Sequence, residues 1–192
     1  MANNTEHNAA VCERYLRFVI EIEYTGNYYY TIWGTDHTSP EEEDKMLVDE
    51  EGQFLLFKTI DAAIAYVKEQ KDLFDRERFD GWLKEINLPL TPHMGIDLDL
   101  LQDEEIDIST EESFEELINT QNFVSDYAHQ SGDEYLMDLF YEHPLETLFD
   151  LYIDTYLEEG TEAPPIPKGL EEDAVPKLNE VYDLIAKKIK IM

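Results

Sequence analysis

The chain has 192 residues, of which 45 are Asp or Glu and 14 are Lys or Arg, for a net charge of -31 at neutral pH. That charge repels phosphate backbones and anionic lipid surfaces, so direct binding to nucleic acid or membrane is disfavoured and a basic protein partner is favoured. With 43% apolar residues the chain can bury a core, unlike a disordered acidic tail, and its one cysteine, Cys12, rules out an internal disulfide.

The first residues, MANNTEHNAA, carry neither the basic region nor the apolar core of a signal peptide, and no run approaches the roughly 18 apolar residues of a membrane span. The expectation is a soluble, cytoplasmic protein. Arg14 to Tyr24 alternates, with Leu16, Phe18, Ile20, Ile22 and Tyr24 on one face and Tyr15, Arg17, Glu21 and Glu23 mostly on the other. Such a period predicts a half-buried strand. Gly26-Asn27 tolerates a tight turn, and Tyr28 to Trp33 continues as a second strand of a hairpin. After the exposed segment GTDHTSPEEED, Met46 to Val48 and Phe54 to Phe57 read as a second hairpin across Asp49 to Gly52. Four strands in this order predict an antiparallel meander.

Helices are expected to cover it. Thr59 can cap a helix running to Lys71 with Ile60, Ala63, Ile64 and Val67 inward, and Phe79, Trp82, Leu83 and Ile86 mark a second helix interrupted by Gly81. Leu88 to Ile108 is broken by Pro89, Pro92 and Gly95; Ile96 to Leu100 alternates like a short strand but fits an irregular acidic loop as well. Ser109 and Glu112 have capping-box spacing ahead of a long helix that ends near Gly132. Asp133 to Tyr141 and Pro144 to Leu157 read as two more, the second with Leu145, Leu148, Phe149, Tyr152 and Tyr156 inward. The proline-rich segment from Gly160 to Gly169 is expected to be extended, and a last helix starts near Pro176 and ends close to Lys187, Lys188 and Lys190. The whole reads as one α+β domain: an N-terminal antiparallel sheet of about four strands with helices over residues 13–87, then a mainly helical acidic half over 96–192.

Charge is distributed unevenly along this plan. From Glu85 to Pro167 there are 22 acidic residues and no Lys or Arg, while the last 25 residues hold five of each. Acid density is highest at Asp97, Asp99, Asp103, Glu104, Glu105, Asp107, Glu111, Glu112, Glu115 and Glu116, interleaved with Ile96, Leu98, Leu100, Leu101, Ile106, Ile108 and Phe114. Acids spaced through an apolar pattern form a fixed surface, so these ten are the candidate partner-binding residues.

Other chemistry finds less support in the sequence. Asp97-Leu98-Asp99 begins like a calcium loop, but Leu101 and Gln102 occupy positions that need a ligand and a turn glycine. Asp126 and His129, with Glu142, His143 and Glu146 downstream, imitate half of a di-metal carboxylate pattern. Cys12 lacks a catalytic motif around it, and the Tyr28-Tyr29-Tyr30 run with Trp33 fits a binding platform or an ordinary two-faced strand. No catalytic residue, metal site or cofactor is assigned.

The order of parts resembles a group of small immunity proteins from bacterial polymorphic-toxin and contact-dependent growth inhibition systems. The resemblance rests on RFVIEIEY with YYYT, LVDEEGQFLLFKTIDAA, INTQNFVSDYA, and the closing order TLFDLY and APPIPKGLEEDAVPKLNEVYDLI. It implies a cytoplasmic, non-enzymatic protein that binds and neutralises one cognate toxin, commonly a nuclease. The expectation is therefore a toxin inhibitor acting through an acidic surface. Its rivals are a DNA mimic or scaffold that binds a host nucleic-acid enzyme, and a metal-dependent enzyme using the carboxylates and histidines above.

Overall fold

The computed structural model describes residues 4–157 and 165–192. The architecture is α+β, and the chain divides into two compact units: residues 1–95 with 188–192, and residues 96–187.

The first unit opens with a helix, α1 (Asn4–Tyr15), where the sequence pattern offered only a lead-in to a strand. Its inward face carries little hydrophobicity: Val11 is buried, Asn8 exchanges hydrogen bonds with the backbone of Asn87, and His7 Nε2 lies 2.8 Å from Glu85 O. A helix docked by such polar contacts leaves no apolar stripe to read. Leu16, at φ 49°, turns the chain into β1 (Arg17–Tyr24), which pairs antiparallel with β2 (Asn27–Thr35) from Arg17↔Gly34 to Tyr24↔Asn27. β3 (Asp44–Met46) joins the free edge of β2, and β5 (Met94–Asp97) completes a mixed four-stranded sheet in the order β3-β2-β1-β5.

β4 (Phe54–Leu56) keeps part of the expected second hairpin, with an antiparallel Val48↔Phe54 bridge and Leu55 N donating to Leu47 O at 3.0 Å, but departs from a four-strand meander. It lies outside this sheet and pairs parallel with β6 (Ile189–Ile191), Phe54 opposite Ile189 and Leu56 opposite Ile191. Two three-residue strands are too short to show a period, and their partnership spans most of the chain, so periodicity is blind to it. Asp49 closes the junction: its carboxylate accepts backbone N–H bonds from Glu51 and Gln53 and pairs with Lys190 at 2.7 Å.

α2 (Ile60–Glu69) starts where expected, with Thr59 Oγ1 accepting from Ala62 N. With α3 (Arg76–Glu85) it closes a core containing Val11, Val19, Ile32, Leu47, Leu55, Phe57, Ile64, Phe79 and Trp82. Gly81 in α3 has a packing reason, because a Cβ there would stand 2.3 Å from the Tyr15 ring.

Arg17, placed by the alternating pattern on the outer face, is instead fully buried. Its guanidinium lies between the rings of Phe74 and Phe79, 4.8 and 4.6 Å from their centroids. Nη1 donates to Leu16 O and Thr35 O at 2.7 and 2.8 Å, and Nη2 faces Asp75 Oδ2 at 3.6 Å. Burial pulls its pKa down to about 10, against the attraction of Asp75, so it still carries its charge at neutral pH. Gly34 is required beside it: a Cβ would fall 2.0 Å from Leu16 O and 2.9 Å from Arg17 Nη1.

The second unit is helical. A 3₁₀ turn (Asp99–Gln102) precedes α4 (Glu111–Ser131), α5 (Glu134–Phe140), α6 (Leu145–Tyr152) with a π-helical turn (Ile153–Leu157), and α7 (Leu170–Ala186). Leu101, Phe114, Leu117, Val124, Leu136, Leu148, Leu178 and Val181 are among its buried residues. Three expectations change here. The α4 cap is Thr110, accepting from Ser113 N, and not Ser109. Phe149 is 39% exposed while Leu145, Leu148 and Tyr152 are buried. α7 begins at Leu170, so Pro176 lies inside the helix and not at its start. The first half of the proline-rich segment from Gly160 to Gly169, residues 160–164, lies outside the described residues.

Candidate functional site

The ten predicted acids follow one another along a continuous path in the second unit, from the end of β5 through an eight-residue connection, 103–110, into the first turns of α4. The path is less irregular than its composition suggests. Ile96 and Asp97 belong to β5, and Asp99 to the 3₁₀ turn, so only Leu98 and the connection itself lack helix or strand. Buried Leu98, Leu101 and Ile108 pin it from beneath, and α7 packs against the 3₁₀ turn. Apolar residues between the acids therefore anchor the backbone that displays them.

Individual acids differ in what they do. Asp97 Oδ1 accepts from Asp99 N at 2.8 Å and Asp99 Oδ1 from Gln102 Nε2 at 3.3 Å, so both are half-buried turn formers. Asp107 Oδ1 accepts from Ser109 Oγ at 2.6 Å and Ser109 N at 2.9 Å, and these bonds hold its carboxyl below the usual range. Asp103, Glu104, Glu105, Glu111, Glu112, Glu115 and Glu116 are exposed and form no ion pair with a basic residue among the described residues. Glu111 and Glu112 stand in the first turn of α4, where the helix dipole favours negative charge. Their charge reaches Tyr152, whose phenol pKa is pushed up first by burial and then by Glu115 and Glu111.

Two depressions score this surface. One, of about 170 Å³, is lined by Asp103, Glu105, Asp107 and Glu116 over Leu100 and Leu117. The other, of about 270 Å³, adds residues that sequence reading missed: Glu171 and Glu172, from the first turn of α7, face Glu104 and Glu105 around it. The only sequence sign was their position just after Gly169, which caps α7 in the left-handed conformation at φ 84°. Carboxylates gathered in this way repel one another, a cost that salt screens because the groups are exposed.

The metal-like residues do not assemble. His129 Nε2 lies 3.2 Å from the Tyr141 hydroxyl, and His143 Nδ1 lies 3.0 Å from Thr147 Oγ1. No group of three or more His, Cys, Asp or Glu side chains is placed to hold a metal ion among the described residues. Cys12 packs half-buried near Trp82 Nε1, and burial raises its thiol pKa, a setting opposed to nucleophilic activation. In the tyrosine run, Tyr28 is 59% exposed, whereas Tyr30 packs against the core and exchanges backbone hydrogen bonds with Phe57.

No family model matches the chain, and no curated protein matches it. Its α+β architecture is shared with a solved structure, the crystal structure of the SatS C-terminal domain in complex with bromine. The two are 15% identical, superpose with a TM-score of 0.65, and align over 94% of this chain and 96% of that one. The likeness is one of fold. No helix among the described residues is long and apolar enough to cross a membrane.

Proposed function

We propose that this protein is an immunity protein, a stoichiometric inhibitor that binds a basic toxin, a nuclease by class, through the acidic surface from Asp97 to Glu116 extended by Glu171 and Glu172. One observation carries the reading: a folded, apolar-anchored backbone displays seven exposed carboxylates that have no basic ion-pair partner among the described residues. A cationic cleft supplies the missing charge. Electrostatic steering of that kind raises association rates by about 10–10³-fold, which suits the capture of a toxic enzyme before it acts. The resemblance to immunity proteins in the order of sequence segments supports the same class.

The test pairs this protein with a basic toxin domain, to be sought in the gene beside it. Co-expression is expected to restore growth, and purified complex is expected to dissociate as ionic strength rises from about 0.05 to 0.3 M, over which the screening length shortens to well under 10 Å. Neutralising Asp103, Glu104, Glu105 and Glu116 together, as Asn or Gln, should weaken binding by more than about 100-fold, chiefly through slower association at low salt. Affinity that is indifferent to both salt and these substitutions would remove the basis of the proposal. Inhibition of a host nucleic-acid enzyme, with no effect on the toxin, would assign the same surface to a DNA mimic instead.

A further inference from the structure

A second surface of the helical unit combines features that charge alone does not explain. Between α4 and α6 lies a groove of about 300 Å³, lined by Gln121, Phe140, Tyr141, Leu145, Phe149 and Asp150 among others. Its apolar walls are displayed: Tyr141 is 62% and Phe149 39% exposed, although α6 has buried positions available at Leu145 and Leu148. Tyr141 is steadied by His129, which contacts its hydroxyl at 3.2 Å and its ring edge-on. Gln121 is 4% exposed, and its buried Nε2 has no hydrogen-bond acceptor. A buried amide donor left unpaired is destabilising, so one lining a groove marks a place where an incoming carbonyl is rewarded.

The charge around the groove selects the occupant. Glu146 and Asp150 line it as exposed carboxylates, and no Lys or Arg occurs anywhere from Glu85 to Pro167. A second copy of this chain, also at -31, would be repelled. A peptide with acidic flanks would be repelled as well. We infer that the α4–α6 groove binds a peptide segment of a basic protein. The segment inserts an apolar side chain between Tyr141 and Phe149, offers a backbone carbonyl to Gln121 Nε2, and sets flanking Lys or Arg against Glu146 and Asp150. This rests on the basic-partner reading above and adds to it a short-range, salt-resistant anchor that chooses among basic proteins.

The experiment titrates the full chain, by fluorescence anisotropy, with three labelled capped peptides: Lys-Lys-Leu-Phe-Lys-Lys, Lys-Lys-Ser-Ser-Lys-Lys and Glu-Glu-Leu-Phe-Glu-Glu. At about 0.3 M salt, where screening suppresses charge-only association, the first is expected to bind at least about tenfold more tightly than the other two. Phe149→Ser and Tyr141→Ser, both at exposed positions, should each weaken it about tenfold, with circular dichroism confirming the fold. Gln121→Leu fills the same space without a donor and should weaken it severalfold. Neutralising Asp103, Glu104 and Glu105 should leave this binding within about twofold while weakening low-salt binding of the Ser-Ser peptide severalfold. The two claims therefore fail separately: loss of the latter effect alone counts against the acidic surface, not the groove. Equal affinity for the Leu-Phe and Ser-Ser peptides would overturn the groove proposal. So would affinity unmoved by the groove variants, absence of saturation up to about 1 mM peptide, or a dimer in sedimentation that Phe149→Ser dissolves.

Discussion

Replacing Arg17 with Met keeps most of the side-chain volume and removes the charge, and the geometry allows its cost to be worked out. Two charge-assisted bonds to Leu16 O and Thr35 O are lost, each worth about 1.5–3 kcal/mol before desolvation is counted. The contacts over Phe74 and Phe79 contribute roughly 2 kcal/mol more when shielded from water. Relief of the guanidinium's own desolvation opposes these losses. Asp75 remains buried and, among the described residues, retains Arg78 Nε at 3.3 Å as its one ion-pair partner. Breaking a buried pair from one side costs about 3–5 kcal/mol in comparable settings, and that is the expected net loss. Both tryptophans, Trp33 and Trp82, belong to the first unit, so tryptophan fluorescence during urea unfolding reports that unit alone. With a urea slope of about 1–3 kcal/mol per molar, the midpoint should fall by at least about 1 M. In the double variant with Asp75→Asn, the second change should cost less than it does alone. A midpoint for Arg17→Met within about 0.3 M of the parent would refute the claim that this guanidinium ties the start of β1 to β2 and α3.

Other substitutions probe separate joints. Gly34→Ala drives a Cβ into a backbone carbonyl, which cannot yield as a side-chain tip does, and should destabilise the first unit by about 3 kcal/mol or more in the same assay. Thr110→Ala should cost about 1 kcal/mol and speed amide exchange at Ser113, with Ser109→Ala costing less, because only Thr110 accepts from that N–H. Asp49 is held below its ordinary value first by the hydrogen bond from Lys190, with burial opposing it and the backbone N–H donors of Gln53 and Glu51 adding to it. Its ionised form therefore supports the β4–β6 junction above pH 3.8, and that support is lost as pH falls through the lower folded value. Carboxyl-carbon NMR should place Asp49's titration below 3.8 in the parent and closer to 3.8 in Lys190→Met; an unchanged midpoint would contradict the pairing.

The sequence is most legible where one short-range rule is enough. Thr59 capping α2, the α4 stripe ending at Gly132, and the β1–β2 hairpin follow from local chemistry. Reading fails where a partner lies far along the chain. α1 docks through Asn8 and His7 to the end of α3, so its polar face looks like a lead-in. Arg17 alternates as an outward residue, and only the convergence of Phe74, Phe79 and Asp75 makes its burial tolerable. The acids of the candidate surface were visible because charge needs no partner to be noticed. Glu171 and Glu172 were not placed beside them, since nothing local tells that α7 returns to the acidic connection.

The β4–β6 pairing also bears on how the protein is made. Residues 96–187 are inserted between the two stretches that build the first unit, so a chain emerging from the ribosome must complete the entire acidic unit before Ile189–Ile191 can reach β4. Until then the edges of Phe54, Leu55 and Leu56 have no strand partner from β6, although all three are buried in the finished molecule. The order of synthesis thus makes the helical unit the first that can be finished. Its high negative charge would keep neighbouring nascent chains apart while that apolar edge waits.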